Sequence, residues 1–527
     1  MGMKRITILI FCAVLVGIGL SAEESIAANH GNEQLGNSLI TAEDRTQTDS
    51  APASEVDITP SQELANSAKH PNIVFILTDD LSLDLLQYMP HVLEMRKEGV
   101  TFSNYFVTDS LCCPSRSSIF TGRFPHDTGV FRNTGNDGGY RVFRDRGNER
   151  VTFAVSLSAA GYRTAMLGKY LNGYVPAVDP ASPGWSHWAV AGFGYPEFNY
   201  NLREDGTLVH YGKKPEDYLT DVLSRLAKRF INDSVDTPFF IEVATFAPHA
   251  PYTPAPRDSG AFPGLKAPRT PSFNAEPDAD APNWLRDKRP LSDADINTID
   301  RDYRKRVQSV LAIDKMIGEI EEAVNKIGQE NNTYFIFSSD NGYHMGEHRL
   351  MPGKMTAFDT DIHVPLIVTG PDVPAGLTVD ELAENIDLCP TITELAGAKT
   401  PADADGRSLV PLLRDKNVDV WRTAVLIEHH RPLRDTVGDP DVAPGNSGNP
   451  PTYEAIRTPT SVYVEYETGE KEFHDLDSDP DELYNTYTSL SEDEKGRLHA
   501  QLLDIKKCHN ANSCWAAETS GYDSARN

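Results

Sequence analysis

Two solid apolar runs, each ending in a pair of acid or amide side chains, constrain the fold of this chain more than any other feature. Ile73-Val74-Phe75-Ile76-Leu77 leads into Thr78-Asp79-Asp80, and Tyr334 to Phe337 leads into Ser338-Ser339-Asp340-Asn341-Gly342. A run without a polar side must be covered on both faces, as a strand inside a parallel sheet is. Phe239-Phe240-Ile241-Glu242-Val243 and Val364-Pro365-Leu366-Ile367-Val368 supply two further strands. Between them, Leu219, Val222, Leu223, Leu226 and Phe230 have the three-four spacing of an amphipathic helix. Val310, Ile313, Ile317, Ile320, Val324 and Ile327 repeat it in a second helix that stops at Gly328. Strand alternating with helix predicts an α/β fold: a doubly wound, mixed but mostly parallel sheet flanked by helices, with ligands collecting at the carboxyl ends of the strands. Both acidic pairs then face one site.

The ends of the chain read differently. Lys4 and Arg5 precede an apolar stretch from Ile6 to Leu20, and Ser21-Ala22 then meet Glu23-Glu24. This is the three-part pattern of a secretory signal peptide over residues 1–22, an uncleaved anchor being the alternative. Cys12 follows Phe11, a poor match to a lipoprotein cleavage site. Residues 23–69 lack a periodic apolar pattern and read as a disordered linker. The main domain then spans 70–420. Residues 421–527 form a smaller α+β subdomain, with antiparallel strands around Ser461–Tyr466 and Phe473–Leu476 and a closing helix over Glu492–Ile505. Cys508 and Cys514 flank a short polar loop, and in an oxidising compartment a disulfide is expected between them. The 49 basic against 77 acidic residues give a net charge of −28, which repels nucleic acid. A mean hydropathy of −0.41 and a single long apolar run exclude a polytopic membrane protein, and no integral membrane association is expected.

The chemistry gathers around Leu111-Cys112-Cys113-Pro114-Ser115-Arg116-Ser117-Ser118-Ile119-Phe120-Thr121-Gly122-Arg123. Adjacent cysteines can be buried small side chains or zinc ligands, but no C-x-x-C pair or regularly spaced histidine couple stands near these two. The segment resembles the signature of the type I sulfatases of the alkaline phosphatase superfamily, C-x-P-S-R followed, after four intervening residues, by T-G. The resemblance runs from about Pro71 to Ala398 and in scattered form to about Asn485. It implies that Cys112 is oxidised by a formylglycine-generating enzyme to formylglycine, whose hydrated aldehyde is the nucleophile. A thiol would lack the second hydroxyl needed to expel sulfate by returning to a carbonyl.

The resemblance implies the rest of the site. Asp79, Asp80, Asp340 and Asn341, with the oxygen of residue 112, would hold one calcium ion, and an all-oxygen set suits a hard cation. Arg116 would steady the nucleophile. Lys169, in Gly161-Tyr162-Arg163-Thr164-Ala165-Met166-Leu167-Gly168-Lys169-Tyr170, and Lys354, ten residues before Val364-Pro365-Leu366, would bind sulfate oxygens. His249, in Ala247-Pro248-His249-Ala250-Pro251-Tyr252, would donate to the leaving oxygen, and Asp340 would accept the nucleophile's proton. Leu171 stands where many sulfatases have a histidine, which leaves the base for the final step open among His126, His344, His348 and structural roles for all three. His363 stands where arginine is usual. The loop from Ala250 to Asp293, dense in Pro and Asp, is expected to wall the site.

The Gly-Lys-Tyr-Leu-Asn and Asp-Asn-Gly-Tyr-His elements are similar to the glucosamine-6-sulfatase and heparan-sulfate endosulfatase branch. The implied function is hydrolysis of sulfate monoesters of small sulfated sugars, glycan ends or aryl alcohols by an exported enzyme, periplasmic or secreted, or lysosomal in a eukaryote. A phosphate or phosphonate monoester hydrolase and a non-catalytic sulfated-glycan binding protein are the alternatives. Asn232-Asp233-Ser234 and Asn331-Asn332-Thr333 are glycosylation triplets of the kind that also arise by chance.

Overall fold

The computed structural model describes residues 70–431 and 446–520, so the expected signal peptide and linker lie outside the described residues. Ten strands form one sheet: β1 (Asn72–Thr78), β2 (Val100–Phe102), β3 (Arg163–Lys169), β4 (His187–Ala191), β5 (Tyr200–Glu204), β6 (Thr207–Tyr211), β7 (Phe239–Ala244), β8 (Thr333–Ser339), β9 (Leu366–Thr369) and β10 (Leu377–Val379). Their spatial order is β10-β2-β9-β8-β1-β7-β3-β4-β5-β6. β8, β1, β7, β3 and β4 run parallel through the centre. β9 is antiparallel to both its neighbours, and β5 and β6 form an antiparallel edge. The four strands expected from apolar runs are all present, three of them central.

Alternation along these strands divides the core. On β1, Ile73, Phe75 and Leu77 join one apolar cluster while Val74 and Ile76 join the other. On β8, Tyr334 and Ile336 part from Phe335 and Phe337 in the same way. Successive side chains point to opposite faces, so a run without a polar residue feeds two helical layers at once. Helix α1 (Cys112–Thr121) covers one face with Ile119 and Phe120, and α2 (Leu219–Asn232) and α3 (Asp293–Lys326) cover the other. α3 begins at Asp293, well before the apolar spacing from Val310. Its start is set by a capping box, in which Asp295 N donates to Ser292 Oγ at 3.3 Å and Ser292 N to Asp295 Oδ2 at 2.9 Å. The expected Ala250–Asp293 loop is irregular apart from a short helix at Asn283–Arg286. It lies against the chain just after Asn341, with Tyr252 and Tyr343 hydroxyls 2.7 Å apart and the Phe273 ring seated on Gly346.

The C-terminal part is an antiparallel sheet of β11 (Val425–His429), β12 (Tyr453–Arg457), β13 (Ser461–Tyr466) and β14 (Lys471–Asp475), closed by α4 (Glu492–Ile505). One face of this sheet, through Val425, Ile427, Ala455, Val462 and Val464, belongs to the same cluster as Cys113, Ile119 and Phe120. The other face packs on Leu502 and Ile505, beside the Cys508–Cys514 disulfide. Arg422 pins this region to Asp387, in the turn that leads into the helix Leu388–Leu395. Its Nη1 and Nη2 donate to the two Asp387 oxygens at 2.6 and 2.7 Å, and its Nε lies 3.1 Å from Glu518. All three side chains are buried.

Arg422→Met removes the cation and leaves these carboxylates uncompensated, which costs about 3–5 kcal/mol. Thermal unfolding by circular dichroism is expected to show a clear loss, and a Tm equal to the wild type's would dismiss the role.

Candidate active site

The carboxyl ends of four strands, β1, β3, β7 and β8, supply side chains around the amino end of α1. Leu111, extended, precedes that helix, Cys112 is its first residue, and every residue from Cys112 to Thr121 is buried. The first-turn N–H groups of a helix carry partial positive charge and favour an anion. Arg116, one turn on, donates Nε to Asp340 Oδ2 at 2.8 Å and Nη1 to the Lys169 carbonyl at 3.0 Å. Ser115 Oγ donates to the Asp340 carbonyl and accepts from Asn385 Nδ2, which ties the helix to the end of β8. Gly122, at φ +71°, ends α1 in the left-handed region, where a side chain would be strained.

Three carboxylates meet three cations here. Lys169, the last residue of β3, places Nζ 2.5 Å from Asp79 Oδ2. Lys354 places Nζ 2.6 Å from Asp80 Oδ1 and 2.8 Å from Cys112 Sγ. Asp79 Oδ1 is 3.3 Å from the same sulfur. With Arg116 and Asp340 as the third pair, all six side chains are buried. Burial opposes the charge of Asp340, but Arg116, Lys169 and Lys354 outweigh it and hold its carboxyl below the usual range. Burial likewise opposes the charge of Lys169, and Asp79 with Cys112 hold its ammonium well above the ordinary lysine value.

Asp80 is the strained member. At φ +63° it adopts a conformation few non-glycine residues take, and it is held there from several sides. Its N–H donates to Asp340 Oδ1 at 3.2 Å, its Oδ1 accepts from Asn341 Nδ2 at 2.7 Å, and its carbonyl accepts from Arg306 Nη2 at 2.5 Å. His249, beyond β7, donates Nδ1–H to the Ala250 carbonyl at 2.8 Å and turns Nε2 towards Asp80 Oδ2, 3.6 Å away. Two buried oxygens at the strand ends, Asp80 Oδ2 and Asn341 Oδ1, accept no hydrogen bond among the described residues. Asp79, Asp80, Cys112 and His249 offer ligand atoms within 4.8 Å of one another. Vacant carboxylate and amide oxygens at the centre of such a cluster fit a hard divalent cation.

The nine residues expected at the site therefore come together. Asp340 differs from expectation in one respect: its Oδ2 is engaged by Arg116 and its Oδ1 by the Asp80 N–H, and the carboxylate in contact with residue 112 is that of Asp79. The remaining histidines lie in other surroundings. His126 bonds Glu428 at 2.8 Å and the Cys508 carbonyl at 2.9 Å. His348 stacks on Phe358 at 4.0 Å, and burial pulls its pKa down to about 3. His344 Nδ1 lies 3.0 Å from both Asp361 oxygens. His363 packs on Phe106, and Leu171 is part of the apolar core. Tyr195, unmarked in the sequence, stands over two site residues, with its ring 4.5 Å from the His249 ring and 5.1 Å from Lys169 Nζ. Asn172 Nδ2 donates to its hydroxyl at 3.3 Å, and only that asparagine's place in the Gly-Lys-Tyr-Leu-Asn element hinted at the contact.

A mostly parallel sheet thus carries acids, an amide, a lysine and a histidine at its strand ends around the buried cysteine that opens a helix. The sulfatase sequence profile matches residues 71–398, and that of the N-sulphoglucosamine sulphohydrolase C-terminal region matches 346–508. Human N-acetylglucosamine-6-sulfatase is 34% identical over 477 residues, 84% of this chain and 86% of that protein. A putative extracellular sulfatase Sulf-1 homolog of Caenorhabditis elegans is 35% identical over 373 residues, covering 68% of this chain and 52% of that protein. In fold, a protein solved in complex with its substrate D-glucosamine-2-N,6-O-disulfate matches at a TM-score of 0.70 and 23% identity, over 83% of this chain and 98% of that one. The phosphonate monoester hydrolase of Agrobacterium radiobacter matches at 0.63 and 21%, over 83% and 97%. The chain belongs to the sulfatase family.

His126 gives a pH signature separate from the chemistry. Burial opposes its charge, yet Glu428 and the Cys508 carbonyl hold its pKa at about 9, above the ordinary value of about 6.5. A raised folded-state pKa stabilises fully below the unfolded value, and the gain is lost as pH rises through 9. The Tm difference between wild type and His126→Gln is expected to be largest near pH 6 and to close by about pH 10; a difference independent of pH would refute the assignment.

Proposed function

We propose that this sulfatase releases inorganic sulfate from 6-sulfated N-acetylglucosamine or a closely similar sulfated sugar, using formylglycine at position 112 and one calcium ion. The observation that carries the reading is the placement of Cys112 Sγ between Lys354 Nζ and Asp79 Oδ1 inside a buried set of three cations. As formylglycine, residue 112 supplies a hydrated aldehyde whose hydroxyl attacks sulfur. Asp79, Asp80, Asp340 and Asn341 would hold the calcium ion, which would supply Lewis-acid polarisation of the sulfate ester.

The chain's own groups do the rest. Lys169 and Lys354 bind the sulfate oxygens, and Arg116 fixes Asp340 and the first turn of α1. Asp79 is placed to receive the proton of the attacking hydroxyl. His249, its Nδ1–H committed to the Ala250 carbonyl, directs the Nε2–H of its protonated form to the departing oxygen. Burial of all these groups strengthens each electrostatic contact. The sugar assignment is supported by the identity to N-acetylglucosamine-6-sulfatases over most of the chain. The organisation into signal peptide 1–22, linker 23–69, catalytic domain 70–420 and C-terminal subdomain 421–527, with export and maturation by a formylglycine-generating enzyme, fits the Cys508–Cys514 disulfide. No helix of the described residues is long and apolar enough to cross a membrane.

Protein matured alongside a formylglycine-generating enzyme is expected to release sulfate faster from N-acetylglucosamine-6-sulfate than from an aryl sulfate or a matched phosphate ester. Faster phosphate release would overturn the reading. Cys112→Ala is expected to lower turnover by at least about 10³-fold with an unchanged circular dichroism spectrum. Asp340→Ala is expected to lose bound calcium in direct metal analysis, since it removes a ligand and frees Arg116; full calcium content would exclude Asp340 from the metal.

A further inference from the structure

Building on that function, we infer that Phe193 is a stacking platform for the sugar ring adjoining the sulfated residue. The segment Gly192-Phe193-Gly194-Tyr195 leaves the end of β4 and crosses the leaving-group side of the site. Both glycines are at close approaches. A Cβ on Gly192 would fall 2.3 Å from the Tyr174 carbonyl and 2.6 Å from Pro176, and one on Gly194 would fall 2.6 Å from the Phe246 ring. Neither position tolerates a side chain, so the backbone on both sides of Phe193 is clamped. The phenylalanine between them is nevertheless 60% exposed.

An exposed aromatic on a clamped backbone costs little entropy to use, because its surroundings are ordered before a ligand arrives. Its ring meets Tyr195 edge-on at 5.3 Å, and Tyr195 in turn lies against His249, the group that faces the departing oxygen. Tyr195 thus flanks the sulfated sugar, and Phe193, one ring further out, meets its neighbour. Val175 and Val178, on the segment that Gly192 touches, are 43% and 77% exposed and add apolar surface beside it. An exposed ring held in this way suits the C–H face of a pyranose.

The test compares Phe193→Ala and Phe193→Tyr on N-acetylglucosamine-6-sulfate and on a disaccharide that carries this residue next to an unsulfated sugar. The alanine variant is expected to raise KM for the disaccharide about tenfold, the worth of one aromatic stack, with a smaller change for the monosaccharide. The tyrosine variant is expected to restore it. An equal loss on both sugars, or no loss, overturns the platform. Wild-type protein that turns over neither sugar defeats the proposed substrate instead. In that case calorimetry of the desulfated disaccharide with unmatured protein still decides: weaker binding to the alanine variant upholds the platform, and equal binding overturns it.

Discussion

The pairing of three buried carboxylates with three buried cations is the interaction on which the rest of this structure depends. Removing six charges from water is expensive, and the expense is recovered only if each finds its partner with good geometry. Asp79 with Lys169, Asp80 with Lys354 and Asp340 with Arg116 achieve this across separate elements, so no pair forms until the strand ends and α1 are in place. The cluster therefore couples the site to the completion of the fold. It also explains why Asp80 tolerates a left-handed backbone: its N–H and carboxylate are held by Asp340 and Asn341 at the end of β8 and its carbonyl by Arg306 of α3, and the strain is spread over that network.

The Cys112–Gly122 motif reads as a set of mechanical requirements. Cysteine must begin the helix to stand at its positive end, and arginine one turn later must reach back to β8. Serine between them fastens the turn to the Asp340 carbonyl, and glycine closes the helix in a space walled by Cys389, Ala404 and the Ile386 carbonyl. Cys113 has none of this chemistry. It is buried in the apolar core, its N–H donates to Asn133 Oδ1 at 3.0 Å, and burial pushes its thiol up to about 12. Two adjacent cysteines are thus divided by the helical turn into a site residue and a core residue.

Much of this was legible in the sequence because burial on both faces leaves an unmistakable run of apolar residues. β1, β7, β8 and β9 are visible for that reason, and the acidic ends of β1 and β8 announce the site. β5 and β6 carry no such run, because the outer hairpin of the sheet is half exposed and its residues are free to be polar. The start of α3 was hidden because its first turns are charged and rest on a cap rather than on apolar spacing. Lys169, Lys354 and His249 were recognisable only through motif resemblance, since a lone lysine or histidine has no local signature. Tyr195, Asn385 and Arg306 were beyond reach: each matters through a tertiary approach to a residue distant in sequence. The spare histidines show the converse, with His126, His344 and His348 all absorbed by neighbours that no spacing rule reveals.

The core shared between the C-terminal sheet and α1 bears on how such a chain can be divided. A seam near residue 420 exists in topology, yet Val425, Ile427, Ala455, Val462 and Val464 form one wall of the compartment that holds α1. Detached from them, the first four hundred residues would carry an open apolar flank beneath their own active centre. The two parts are therefore one cooperative unit, and recombination that exchanged the tail between relatives would have to preserve the shape of an interior, as well as the chemistry of a surface.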